Sequence, residues 1–229
     1  MAYQAKDLYQ AASTAMVDLD SNTRRWTWNY TEGQTDPSLQ PMLNLAVMEV
    51  AFQRPDVAAL VEAVELATGT QQSLDADTLK LLDVICNAGS DGTTLGPVVT
   101  HVDRKSLDAI SPSWYADQSA KEQEIKHYIV DEDTQPGTFF VYPGVSGDAT
   151  VYVKLSRAKT PGKVTSPDDV LPIDDTWFAP LYHALLYQIF TGDSGDANFQ
   201  RGVHHLQTFA NSLGVKGKID MAFMPKAGE

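Results

Sequence analysis

The chain has 229 residues, 43% hydrophobic and 21% charged, which is enough to bury a real core as one large domain or two small ones. Thirty acidic against seventeen basic residues leave a net charge of −13, and the cations stand as pairs (Arg24-Arg25, Arg104-Lys105, Lys216 and Lys218) with no stripe, a poor arrangement for gripping nucleic-acid phosphates. No apolar run approaches the ~18 residues of a membrane span, the first residues lack a signal-peptide profile, and the single cysteine, Cys86, permits no internal disulfide, which fits a reducing compartment.

Ala5, Leu8, Tyr9, Ala12, Met16 and Leu19 recur at helical spacing and predict an amphipathic helix over 2–19. Trp26, Thr27, Trp28 and Tyr30 predict an extended segment over 22–31 that ends at Gly33. Asp36-Pro37 reads as an N-cap with proline at the first helical position, and the helix it opens runs through Leu43, Val47, Val50 and Ala51 to stop before Pro55. Residues 56–66 suit a helix by composition and a strand by Val57, Val61 and Val64.

From Gly69 to Pro161 the pattern changes to short β-type runs at 79–85, 98–102, 126–131, 138–142 and 150–155. Pro136-Gly137 between two of them predicts a hairpin, and 107–115 fits a short helix or a loop. Strands this close together, with no long helical insert, predict an antiparallel sheet, a sandwich or a small barrel. Pro161, Pro167 and Pro172 mark a return linker. Asp174-Asp175 then caps a helix with Phe178, Leu181, Leu185, Leu186 and Ile189 on its apolar face. After the turn Thr191-Gly192-Asp193-Ser194, a second helix carries Phe199, Val203, Leu206, Phe209 and Leu213 and is expected to end at Gly214.

The organisation predicted is α+β. Residues 1–66 and 173–214 form one discontinuous helical bundle of N- and C-terminal helices, because neither pair alone covers its apolar face. Residues 67–172 form an inserted antiparallel β subdomain with its return linker, and 215–229 a C-terminal tail. Leu185 and Phe199 are both expected to be buried.

Candidate chemistry is thin. The chain carries no Gly-x-Gly-x-x-Gly, P-loop, His-Glu-x-x-His or Gly-x-Ser-x-Gly pattern. His204 and His205 point ~100° apart on a helix and cannot chelate one ion together; His183 reads as a packed or interface side chain, and His101 and His127 have no partner at ligand spacing. Asp131-Glu132-Asp133 reads as a solvated turn cluster, Ser90-Asp91-Gly92-Thr93-Thr94 lacks the distal Glu of a calcium loop, and Asp193-Ser194-Gly195-Asp196 reads as a capping turn. Cys86 reads as buried filler, and Trp26, Trp28, Trp114 and Trp177 as core or interface anchors. No catalytic residue, metal ligand or cofactor is assigned. A rival reading makes the β subdomain an enzyme or glycan-binding module with Trp114, Tyr115 and Asp131 near its site. Met221, Phe223 and Met224 have no element of their own to bury them, so they are candidate interface residues for a groove on another subunit; the alternative is that they fold back on their own bundle.

Four stretches resemble the head-to-tail adaptor (connector) proteins of tailed bacteriophages, especially short-tailed ones. They are Gly69-Thr70-Gln71-Gln72-Ser73-Leu74 leading into Leu81-Leu82-Asp83-Val84, and Val102-Asp103-Arg104-Lys105-Ser106-Leu107-Asp108. The others are His127-Tyr128-Ile129-Val130-Asp131-Glu132 followed by Phe139-Phe140-Val141-Tyr142-Pro143, and 177–214 with Pro180-Leu181-Tyr182-His183-Ala184-Leu185-Leu186. The resemblance implies a structural virion protein without catalytic residues: a twelve-subunit ring in the neck, assembled in the host cytoplasm, that joins the portal to a tail nozzle or tail tube protein. It also implies that the C-terminal segment grips the portal or a neighbouring subunit. An acidic ring around the DNA channel repels the duplex and lets it slide without specific binding, and no membrane is involved.

Overall fold

The structure is a computed structural model that describes residues 2–18, 20, 25–34, 37–131, 137–192 and 196–223. Its elements run α1 (Ala5–Met16), α2 (Leu39–Gln53), β1 (Ala59–Glu65), β2 (Gly69–Ser73), β3 (Thr78–Asn87), β4 (Thr100–His101), α3 (Arg104–Ile110), β5 (His127–Val130), β6 (Thr138–Val145), β7 (Tyr152–Lys159), α4 (Phe178–Gly192) and α5 (Asp196–Phe223). This is a mixed α+β fold with five helices among the described residues. It divides into two compact units, Met1–Val57 with Pro161–Glu229, and Ala58–Thr160.

The helical unit is organised around α4, which packs on α1, α2 and α5. Its Leu181, Ala184, Leu185 and Leu186 are fully buried, against Leu8, Tyr9 and Ala12 of α1, Leu43, Ala46 and Val50 of α2, and Phe209 of α5. Local chemistry sets the helix starts. The Asp7 carboxylate accepts the Gln4 backbone N–H at 2.8 Å ahead of α1, and the Ser38 hydroxyl accepts from the Gln40 N–H to cap α2. The helix starts two residues later than expected, with Ser38 as the cap in place of Asp36 and Pro37 ahead of it; Asp36 itself lies outside the described residues. Asp174 caps a 3-10 turn, Asp175–Trp177, that leads into α4.

The chain ends of this unit are stitched by long-range hydrogen bonds. Ala5 N–H donates to the Asp169 carbonyl at 2.9 Å, Leu171 N–H to the Tyr3 carbonyl at 3.0 Å, and Tyr3 N–H to the Asp175 carboxylate at 2.9 Å. The Asn44 side chain clamps the return segment from both sides, its amide donating to the Val164 carbonyl at 3.0 Å and its oxygen accepting the Val164 N–H at 2.8 Å. Val164, Leu171 and Ile173 therefore sit in the helical core. This moves the boundary expected at 172/173 to 160/161: the proline-rich linker is a packed part of the helical unit.

The β unit holds two sheets, ordered β1-β7-β3 and β2-β6-β5-β4. All their pairings are antiparallel except β4 with β5, which is parallel. Residues 56–66 resolve into a 3-10 turn at Pro55–Ala58 followed by β1, which pairs with β7 from Ala59↔Ala158 to Glu65↔Tyr152 and so joins the β unit. The expected hairpin is β5–β6, with Tyr128 opposite Val141 and Ile129 opposite Phe140. Successive strand residues point to opposite faces. Phe139 and Val141 accordingly join Val84, Val153 and Leu155 in one core, while Phe140 and Ile129 pack with Leu107 of α3 and Trp114 in another. Asn87, fully buried, ties two loops to this core through hydrogen bonds to Pro97 and Ile125.

Three expectations are corrected. α5 does not end at Gly214 but continues as helix to Phe223, so the expected tail is helical over its first nine residues. A glycine inside a helix costs only about 1 kcal/mol and forces no termination by itself. Phe199 is 52% exposed, because the buried Gly202, held against Thr191, turns a different face of α5 toward α4. The segment around Trp26 forms no strand among the described residues; it makes a single bridge from Thr27 to Ser38 and buries Trp26.

Candidate functional site

The helix α2 is apolar almost all round, with Met42, Leu43, Leu45, Ala46, Val47, Met48, Val50, Ala51 and Phe52 in one element. A helix of that kind needs cover on every side. α4 covers the face carrying Leu43, Val47 and Val50, while Leu45 and Phe52 remain 60% and 65% exposed. Beside them lies an open groove of about 600 Å³, lined chiefly by Met42, Leu45, Met48 and Phe52 of α2 and by Tyr187 and Gln188 of α4. Its polar wall is a Gln188–Glu49 pair, the Gln188 amide donating to the carboxylate at 3.4 Å. The Gln188 carbonyl oxygen is buried with no hydrogen-bond partner among the described residues. The sequence reading missed this face; the signal that would have found it is the all-round apolarity of α2.

Met221 and Phe223 fall in the last turns of α5, and Met224 lies outside the described residues. Glu132, Asp133 and the capping turn at 193–195 also lie outside them.

Residues proposed for a glycan or catalytic site are placed as follows. The Trp114 ring is 2% exposed, packed edge-on against Tyr115 and Phe140, and its indole N–H donates to Asp108 at 2.7 Å. It offers no face to a sugar. Tyr115 is half exposed, and Asp131 is ion-paired with Arg104 at 3.2 Å. Asp91 accepts the backbone N–H and hydroxyl of both Thr93 and Thr94, hydrogen bonds that hold its carboxyl well below the usual range and rigidify the loop. Cys86 is buried in β3. Among the described residues no three His, Cys, Asp or Glu side chains are grouped to hold a metal ion, and no helix is long and apolar enough to cross a membrane.

The histidines hold a pairing that spacing alone did not reveal. Nδ1 of His183 on α4 and Nδ1 of His205 on α5 lie 3.0 Å apart, with Phe190 stacked on His205. One ring must donate and the other accept, so the contact cannot survive with both rings charged. Burial pushes both below the ordinary histidine range, His205 to about 4, with the charges of His183, His204 and Arg201 adding to the shift. The folded state then binds fewer protons than the unfolded chain in this window. The resulting stability is complete above about pH 6.5 and is lost as pH falls toward 4. The melting temperature is expected to drop across that range, and His205→Phe, which keeps the stack on Phe190, should flatten the drop. Equal slopes in thermal melts of both proteins would contradict this.

Thus the described residues present an apolar groove, alongside histidine and carboxylate groups committed to packing and loop structure. No curated protein is similar enough to the chain to count as a relative. The SU10 adaptor protein family matches residues 3–227, nearly the whole sequence, and the chain belongs to that family of structural bacteriophage adaptors.

Proposed function

We propose that the chain is the head-to-tail adaptor of a short-tailed phage, whose copies form a ring of twelve under the portal in the virion neck. The ring binds the portal on one side and the tail nozzle or tail tube protein on the other, and lines the channel through which DNA passes. It is assembled in the host cytoplasm and has no catalytic role. Its subunit is a discontinuous helical bundle that carries the β unit as an insertion.

The observation that carries this reading is the adaptor-family match over residues 3–227. Two physical features support it. An apolar groove on α2 is costly to leave in water and suits a protein that works in an assembly. A net charge of −13 per copy repels duplex DNA from an encircling surface. The rival reading loses its aromatic platform, since Trp114 is a core residue.

Met221, Phe223 and Met224 are assigned to the interface. Mixing the purified chain with its portal is expected to give a ring on the portal in electron micrographs. Deleting residues 215–229 should leave the melting temperature unchanged and abolish that assembly. Failure of the full chain to join the portal sinks the adaptor reading, while normal assembly by the truncated chain removes those three residues from the interface.

A further inference from the structure

The two sheets of the β unit have four edge strands, and one of them is unlike the rest. β4 is only two residues long. β2 bulges between Gly69 and Gln71, and β3 shifts register three times along β7 and takes a bridge from Cys86 to Val98. Short strands, bulges and covering segments are how folded proteins close a sheet edge to other chains. β1 has none of them: it pairs with β7 from Ala59 to Glu65 in continuous register.

The ladder shows which backbone groups of β1 face outward. Leu66 N–H donates to the Val151 carbonyl at 2.9 Å, while Tyr152 exchanges both its backbone groups with Ala88 and Gly89 on the β3 side. In an antiparallel pair these roles alternate along each strand. The backbone groups of Leu60, Glu62 and Val64 are therefore turned to β7, and those of Ala59, Val61, Ala63 and Glu65 are turned away from it. The outward groups have no hydrogen-bond partner among the described residues, and all four residues are exposed. Open donors and acceptors at every second position are half of a ladder, which an extended chain completes.

The side chains state which kind of chain. Leu60 and Val61 are 38% and 49% exposed, a surface that suits β-branched cross-strand neighbours. β1 carries two carboxylates and no cation. They stand three residues apart and so on opposite faces of the strand, Glu62 bonded to Arg157 and Glu65 accepting from the Tyr152 hydroxyl at 2.9 Å. A second copy of β1 would add two more carboxylates and no cation, and like charges across a ladder are destabilising. We infer that the β1 edge receives an extended segment of a different protein, rich in β-branched residues with two Lys or Arg three positions apart. The segment adds a fourth strand to the sheet β1-β7-β3. This docking edge goes beyond the adaptor reading and does not depend on it.

The test uses the full chain and a labelled nine-residue peptide of threonine and valine with two lysines three positions apart. Fluorescence anisotropy is expected to show saturable binding, and the Val61 and Ala63 amides to become protected from hydrogen exchange. The same peptide with its central amides N-methylated keeps its charge and loses its donors, and should not bind. Val61→Pro removes an outward N–H that β7 does not use, so the chain should keep its melting temperature and bind at least about tenfold more weakly. Binding of the N-methylated peptide, equal binding of a counterpart with glutamates for lysines, or no protection at Val61 and Ala63 overturns the inference. A free chain that sediments as a dimer with those amides already protected overturns it too, because a second copy then holds the edge. A chain that joins its portal and fails these tests keeps the adaptor reading; one that passes them and ignores the portal keeps the edge and loses that reading.

Discussion

Leu185→Ala should lower the stability of the helical unit by roughly 2–5 kcal/mol, with a value in the upper half of that range. Leu185 is fully buried at the centre of α4, the helix that α1, α2 and α5 all pack on. Its neighbours belong to several elements, so no single one can relax into the space left behind, and the cavity persists. Phe199→Ala removes a larger side chain yet should change stability by only about 0.5 kcal/mol, because that ring is half in water. Denaturant midpoints of the two variants separate them. Equal losses would mean that α5 is rotated relative to the arrangement described.

Arg157→Ala is expected to cost the β unit about 2–3 kcal/mol. Arg157 is 5% exposed on β7, where its guanidinium bonds Glu62 of β1, the Asp77 carboxylate and the Thr78 hydroxyl, and lies 3.2 Å from Asp75. Without it three carboxylates face one another around an apolar gap. The cost stays at the lower end because these acids are one-third to two-thirds exposed and regain water. Arg157→Lys should recover only part of the loss, since a compact ammonium cannot reproduce the planar fork with which the guanidinium reaches Glu62, Asp77 and Thr78. The hydrogen bonds from Arg157, and then from Lys159, hold the Asp77 carboxyl below its usual range. That contribution is present above the unfolded carboxylate pKa and is lost as the pH falls, so the alanine variant should also lose part of the acid sensitivity of the β unit. A variant as stable as wild type would show the guanidinium to be replaceable by solvent.

Much of this architecture was legible because local patterns and tertiary packing agree. In Phe139-Phe140-Val141 the alternation sends neighbours to two different cores, and Gly137 supplies the left-handed residue of the preceding turn. The resemblance noted in the sequence and the family match lead to the same class of protein. What was not legible depends on partners distant in sequence. Nothing in Ala59–Glu65 itself decides for a strand; β1 buries none of its residues fully and exists because β7 pairs along its whole length. The rotation of α5 is set by Gly202, a residue without a hydrophobic signal. The His183–His205 pair spans two helices, and periodicity within either one is blind to it. The groove escaped because helical periodicity was used to find the face of α2 that packs, while the surplus of apolar residues on its other faces was the sign of an interface.

The stitching of residues 3–5 to 169–175 has a consequence for how the protein comes off the ribosome. α1 and α2 are made first, but α4, which covers them, follows about 130 to 170 residues later, or roughly ten to thirty seconds at common rates of synthesis. During that interval the β unit emerges with its first and last strands paired side by side, so it closes on itself with little chain left to organise. The nascent chain therefore holds a finished β module between two unfinished halves of a helical one. The exposed faces of α1 and α2 make this the stage at which a stalled or prematurely ended chain is most prone to aggregate.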